Sequence, residues 1–149
     1  MAKLLGHSYV SLLTKDFHVW PDFHGNRSPL ADPTMKGMIT GLTINSSEEN
    51  LALLYLATLQ GLSYGTRYII DALMLAGYQT LKSLLICGGI TKNPLFVQIQ
   101  ANTVGFPVLN PHEKDSVLVG SAILGACASQ HFNNIQEATL CFHFLINTK

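Results

Sequence analysis

Leu84-Leu85-Ile86-Cys87-Gly88-Gly89-Ile90-Thr91-Lys92-Asn93-Pro94-Leu95-Phe96 is the stretch on which the fold turns. Its first four residues are a short apolar run, which predicts a strand buried on both faces. The run stops at Gly88-Gly89. Asn93 before Pro94 then sets a strong N-cap residue ahead of the imino acid whose fixed φ and missing N–H suit the first helical position. Phe96, Val97, Ile99 and Gln100 supply a helical face, closed by Gly105. Phe106-Pro107-Val108-Leu109 reads as a second short strand, and another helix begins at Asp115 or Ser116 and ends near Ala128. Strand, diglycine, helix, strand, helix is the order of an α/β domain.

Upstream, Ser46 with Glu49 forms a capping box that opens a long helix. Leu51, Tyr55, Leu59, Leu62, Ile69 and Leu73 give it an apolar periodicity, and Gly77 stops it. Within it Ala57, Gly61 and Gly65 make a bare stripe, although each helical glycine costs about 1 kcal/mol relative to alanine. Close packing on a sheet explains such a stripe, and so does direct approach of a ligand. The small residues Gly120, Ser121, Ala122, Gly125, Ala126 and Ala128 suggest packing of the last helix on a sheet. Residues 1–45 are punctuated by Pro21, Gly25, Pro29, Pro33, Gly37 and Gly41, so they read as loop with a short strand around Met38 to Ile44. Trp20 to Pro29, polar, aromatic and stiffened by two prolines, has the character of a binding loop; its Arg27 either contacts an anion or braces the loop. Beyond the turn-like Asn133-Asn134, Leu140 to Ile146 is apolar enough to need docking.

The chain has 149 residues, with 9 Lys+Arg against 9 Asp+Glu, and the basic residues form no cluster. That argues against a nucleic-acid partner, whose binder carries a basic stripe. Charged residues make up 12%, against roughly 25% in an ordinary soluble domain. Either part of the surface faces another domain or chain, or Ser, Thr, Asn and Gln cover it. No apolar run reaches the ~18 residues of a membrane span, and Gly6, His7 and Ser8 break any signal-peptide core. Cys87, Cys127 and Cys141 are odd in number and far apart, which fits neither a disulfide framework nor a zinc pattern and makes a reducing cytoplasm the expected location.

In an open α/β sheet, ligands sit beyond the C-terminal ends of strands. There the two glycines would bare the backbone for a flat base or a ribose, the next helix would aim free N–H groups at the same place, and Asn93 would cap that helix with an amide end to spare. A tight turn with an ordinary cap accounts for the same letters. The P-loop, the G-x-G-x-x-G fingerprint and the paired-histidine zinc motif are all missing from the sequence. Glu113 lies about where a dinucleotide fold wants its ribose-binding acid. His18 and His24 share a loop but lack further metal partners.

The segment 84–96, with Gln100-Ala101-Asn102 and Gly105-Phe106-Pro107-Val108 after it, resembles the adenosine-binding block of the FGGY carbohydrate kinases. Gly120-Ser121-Ala122 with Gly125-Ala126 is similar to that family's next block. Phe23 to Pro29, with Asp32-Pro33 and Gly37, resembles the preceding loop of ribulokinase-like members. The resemblance runs over 18–138, between a divergent segment 1–17 and a divergent tail 139–149. It implies a partial actin-like, ribonuclease-H-like ATPase domain, the later part of the second of two domains. It also implies a kinase phosphorylating a pentulose such as D-ribulose with ATP and Mg2+, and Gly88, Gly89 and Asn93 as nucleotide contacts. The family's catalytic aspartate and its Gly/Thr phosphate segment would lie upstream of Met1. None of Asp16, Asp22, Asp32, Asp71 and Asp115 stands in a matching context, so the chain alone is expected to lack turnover and to bind sugar only with the missing first domain. The alternatives are a non-catalytic interaction product of a kinase gene and a dinucleotide-binding fragment using Gly88, Gly89 and Glu113.

Overall fold

A computed structural model of the chain describes residues 10–79, 81–110 and 116–147, with 142–147 as backbone only. The chain forms two compact units, Met1–Leu84 with Asn93–Leu109, and Leu85–Lys92 with Asn110–Lys149.

In the first unit a 3-10 turn, Val10–Thr14, leads into strand β1 (His18–Trp20), which pairs antiparallel with β2 (Met38–Thr40), Val19 opposite Ile39. β2 is shorter than the expected Met38 to Ile44 because Gly41 turns the chain at φ +84, where a side chain would run into the Asp16 carbonyl. Three residues are too few for β1 to show a two-residue alternation, so the sequence carries no signal for it.

Helix α1 spans Glu48–Leu75. Its cap is Ser47, whose Oγ accepts from the Asn50 N–H at 3.3 Å, one residue later than the expected Ser46 and Glu49 box. Glu48 and Glu49 fall in the first turn, beside the positive end of the helix dipole. Gly77 ends the helix as expected, at φ +90. Tyr78 N–H donates to the Leu73 carbonyl and Gly77 N–H to that of Met74, a Schellman closure.

The apolar periodicity of α1 does not mark its buried face. Leu51, Tyr55, Leu62 and Leu73 are exposed, while Leu56, Ala57, Leu59, Gln60, Gly61, Ser63 and Ile70 are buried. Apolar residues occur nearly all round this helix, so periodicity alone does not say which face goes inward. The small residues of the buried stripe allow close approach. Phe17, Val19 and Ala57 form the core cluster with Leu54 against it, and Thr14 Oγ1 donates to Gln60 Oε1 at 2.6 Å beneath it.

Helix α2 (Pro94–Val104) lies on α1 through Phe96, Gln100 and Val104, spaced four apart and buried. Gly105 closes it in the left-handed conformation at φ 82. The expected strand 84–87 contracts to β3 (Leu84–Leu85), paired with β4 (Val108–Leu109), and Leu84 N–H donates to the Pro107 carbonyl at 2.9 Å. β3 is half-buried at Leu84 and exposed at Leu85, not covered on both faces, and among the described residues β4 is the one strand paired with it.

In the second unit a 3-10 turn, Gly89–Lys92, is followed by α3 (Ser116–Ala128) and α4 (Ile135–Asn147), which pack on each other. α3 has no buried residue, and Cβ atoms built at Gly120 and Gly125 meet nothing within 4 Å, so its small residues do not serve sheet packing. Asn134, expected to be a turn residue, caps α4. Its Oδ1 accepts from Glu137 N–H at 2.8 Å, and Glu137 Oε2 accepts from Asn133 N–H at 3.1 Å. The apolar stretch from Leu140 belongs to this helix, whose Ala138 is fully buried. Among the described residues no helix is long and apolar enough to cross a membrane.

Candidate functional site

Gly88 belongs to the second unit and has φ +96, a conformation that L side chains rarely adopt. Thr91 closes the turn behind it, donating to the Gly88 carbonyl from its N–H at 3.2 Å and its hydroxyl at 2.7 Å. Gly89 is different. Its φ is not in the left-handed region, and a Cβ there would meet nothing within 4 Å. A side chain at 89 would therefore fit the chain itself. The bare residue leaves the backbone open without any gain in internal packing among the described residues.

Asn93 belongs to the first unit and caps α2 as expected. Its Oδ1 accepts from Leu95 N–H at 3.1 Å, and its backbone carbonyl accepts from Val97 N–H. Its Nδ2 donates to the Tyr55 hydroxyl at 2.6 Å. The acceptor end of the amide is thus used in capping and one of its two donor hydrogens goes to Tyr55. One N–H remains, so a ligand atom meeting Asn93 there must be an acceptor. Tyr55 is the partner that sequence reasoning misses: it counts as an apolar periodic position there, and only its exposed hydroxyl on α1 reveals the role.

The first unit also holds a cleft of about 920 Å³ between the β1–β2 pair, with the loop that connects the two strands, and the middle of α1. His18, Trp20, Arg27, Tyr64 and Tyr68 are among its lining residues. The loop is tied to itself. Asp22 Oδ2 accepts from Trp20 Nε1 at 2.6 Å and from Asn26 Nδ2 at 2.8 Å, and Asn26 Oδ1 accepts from Leu30 N–H at 3.0 Å. Asp32 Oδ1 accepts from the Thr34 hydroxyl and N–H, which hold its carboxyl below the ordinary carboxylate range. The stripe on α1 serves two ends. A Cβ at Gly61 would strike the Val19 carbonyl, which is close packing on a strand, whereas one at Gly65 meets nothing within 4 Å and faces open space in the cleft wall.

Each described aspartate has a structural partner. Asp22 and Asp32 organise the loop, Asp71 pairs with Arg67 at 2.9 Å, and Asp16 lies 3.7 Å from Lys15. Asp115 and Glu113, the latter needed for a dinucleotide site, lie outside the described residues. Among the described residues no group of three His, Cys, Asp or Glu side chains could hold a metal, and His24 does not line the cleft that His18 lines.

Residues 1–129 match the family model for the C-terminal domain of the FGGY family of carbohydrate kinases. The chain belongs to that family. Within the FGGY kinases it is 57% identical to the FGGY carbohydrate kinase domain-containing protein of Homo sapiens over 129 residues, 87% of this chain and 23% of that protein. It is 37% identical to a D-ribulokinase of Saccharomyces cerevisiae over 86% of this chain and 18% of that one. Its fold is similar to that of Plasmodium falciparum glycerol kinase, solved with ADP, at a TM-score of 0.64 and 21% identity over 93% of this chain and 29% of that one. The expected α/β, partial actin-like ATPase domain is thus the fold observed. The chain spans about a quarter of the length of the curated relatives it matches first.

Proposed function

We propose that this chain is the nucleotide-binding part of an FGGY sugar kinase, with Gly88, Gly89 and Asn93 meeting the nucleoside of ATP or ADP. The observation that carries the reading is the open backbone at Gly89, bare without a packing reason among the described residues, in a chain that matches the family's C-terminal domain. Asn93, five residues after Gly88, keeps one N–H for an acceptor atom of the ligand. These residues fit a neutral, hydrogen-bonding nucleoside. With no acidic cluster of its own among the described residues, the chain would meet Mg2+ as a companion of the nucleotide phosphates.

The full kinase would move the terminal phosphoryl group of ATP to a hydroxyl of a pentulose. The yeast relative named D-ribulokinase supports ribulose as that sugar. Phosphoryl transfer depends on positioning and on charge stabilisation around the moving group. Among the described residues this part of the kinase brings nucleoside contacts, while Asp22 and Asp32 organise the loop and Asp71 pairs with Arg67. Three free cysteines suit the reducing cytoplasm as the place of work.

Thermal unfolding with MgADP tests the reading. The wild-type chain gains stability with MgADP, while Gly89→Val, whose side chain has room, unfolds at the wild-type temperature without nucleotide and gains nothing with it. An equal gain in Gly89→Val refutes the assignment. A second reading, a non-catalytic interaction product, is favoured by Val117, Leu118 and Leu124 on α3, which are 80%, 70% and 59% exposed. Absence of any shift in the wild type at millimolar MgADP selects it.

A further inference from the structure

We propose that the cleft of the first unit is a binding site of its own, for a small aromatic anion, built from residues other than Gly88, Gly89 and Asn93. Its volume, about 920 Å³, falls in the range of roughly 300–1,000 Å³ typical of small-molecule sites.

Three features of the lining determine the ligand class. The first is Gly65. Gly61, one turn earlier, must be bare because the Val19 carbonyl sits against it, but Gly65 has empty space where a side chain would be. A helical glycine that its own fold does not require leaves room for something flat. The second is the aromatic wall. Tyr64 and Tyr68 are one turn apart on α1, and Trp20 stands on β1 with its Nε1 fastened to Asp22. Rings of this kind give a planar ligand large contact area at small cost in side-chain freedom.

The third feature is charge. Besides the phenols of Tyr64 and Tyr68, the ionisable groups among the cleft residues are His18, Asp22 and Arg27. Asp22 Oδ2 is occupied by Trp20 and Asn26, which fixes the loop rather than a ligand. Arg27 donates no side-chain hydrogen bond and makes no ion pair among the described residues, so its planar fork is available to a carboxylate or phosphate. The loop that presents it is preorganised by the Asn26 and Asp32 bonds and by Gly25 and Gly37, where a Cβ would collide with the Pro33 backbone and the Phe23 ring respectively. Little ordering is then left to be done on binding.

The test uses the whole chain, whose single tryptophan, Trp20, reports from the cleft itself. Calorimetric titration with 1-naphthyl phosphate and 1-naphthoate, followed in parallel by Trp20 emission, gives saturable binding of at least one of them; the tighter identifies the anion preferred. Arg27→Gln weakens that binding ~10-fold, as loss of a charged hydrogen bond does. Gly65→Leu abolishes it while circular dichroism and melting show an intact fold, because the new side chain enters open space and leucine is the better helix former. Asn93→Ala binds as the wild type does. No saturable binding of either anion, equal affinity for neutral 1-naphthalenemethanol, or undiminished binding by Gly65→Leu overturns the proposal.

Discussion

Gly61 and Gly65 are the same residue type one helical turn apart, and the structure gives them opposite duties. At Gly61 a methyl group would press on the Val19 carbonyl, which is backbone and cannot swing aside. Gly61→Ala is therefore expected to lose about 2 kcal/mol, the scale of overpacking. Gly65→Ala meets nothing within 4 Å and should gain about 1 kcal/mol from helix propensity alone. Urea denaturation of the pair checks both signs, and a loss in both variants would refute the distinction. The sequence shows the stripe but not this difference, since the difference depends on a carbonyl contributed by a three-residue strand. Asn93 was legible as a cap from the proline behind it. Its second bond was not, because Tyr55 lies 38 residues away on a helix position that reads as apolar.

The same division between local and distant signals governs the elements. Helix ends marked by local chemistry, Gly77, Asn93-Pro94 and Gly105, stand where the sequence puts them. The short strands are cut back or unannounced, because a two- or three-residue ladder exists only through its partner. The contact between α1 and α2 is a further case. Arg67 Nη1 donates to the Val104 carbonyl at 3.2 Å, one of the unpaired carbonyls at the negative end of α2, while Nε holds Asp71 at 2.9 Å. Arg67→Ala should cost about 1.5 kcal/mol, as for a hydrogen bond to a charged donor. Asp71→Ala, losing only an exposed pair, should cost about 0.4 kcal/mol. Chemical denaturation of the two variants ranks them, and equal losses would show that the bond to α2 contributes nothing. At the other end of α1, the first-turn backbone and the Ser47 hydroxyl hold Glu49 below the usual carboxylate range. A carboxyl depressed in the folded state stabilises above its ordinary pKa of 4.5 and loses that contribution as pH falls through the depressed value. Glu49→Gln should accordingly flatten the acid limb of the stability curve below about pH 4.5 and leave the fold intact at neutral pH.

At the scale of the whole molecule, the low charge content and the exposed α3 face both describe a surface with few charges and much uncovered apolar area. The α/β class was legible from the strand–diglycine–helix order. The extent of uncovered surface was not, since hydrophobic periodicity reports which residues are apolar and says nothing about whether a partner strand or domain is present to bury them. β3 illustrates this: its letters suit a strand enclosed on both faces, yet Leu85 is 68% exposed. Catalysis should follow the same logic. Alignment of a sugar hydroxyl with the terminal phosphate needs a base and a second wall, and the described aspartates here are committed to the loop, to Arg67 and to Lys15. The purified chain is therefore expected to form no ADP from MgATP in the presence of D-ribulose. Supplying the part of the human relative outside the matched 129 residues should give ribulose-dependent turnover. Loss of that restored turnover in Gly89→Val, with association intact by size-exclusion chromatography, would assign the nucleotide contact to this chain. Ribulose-dependent ADP formation by the chain alone would instead place a catalytic base within it.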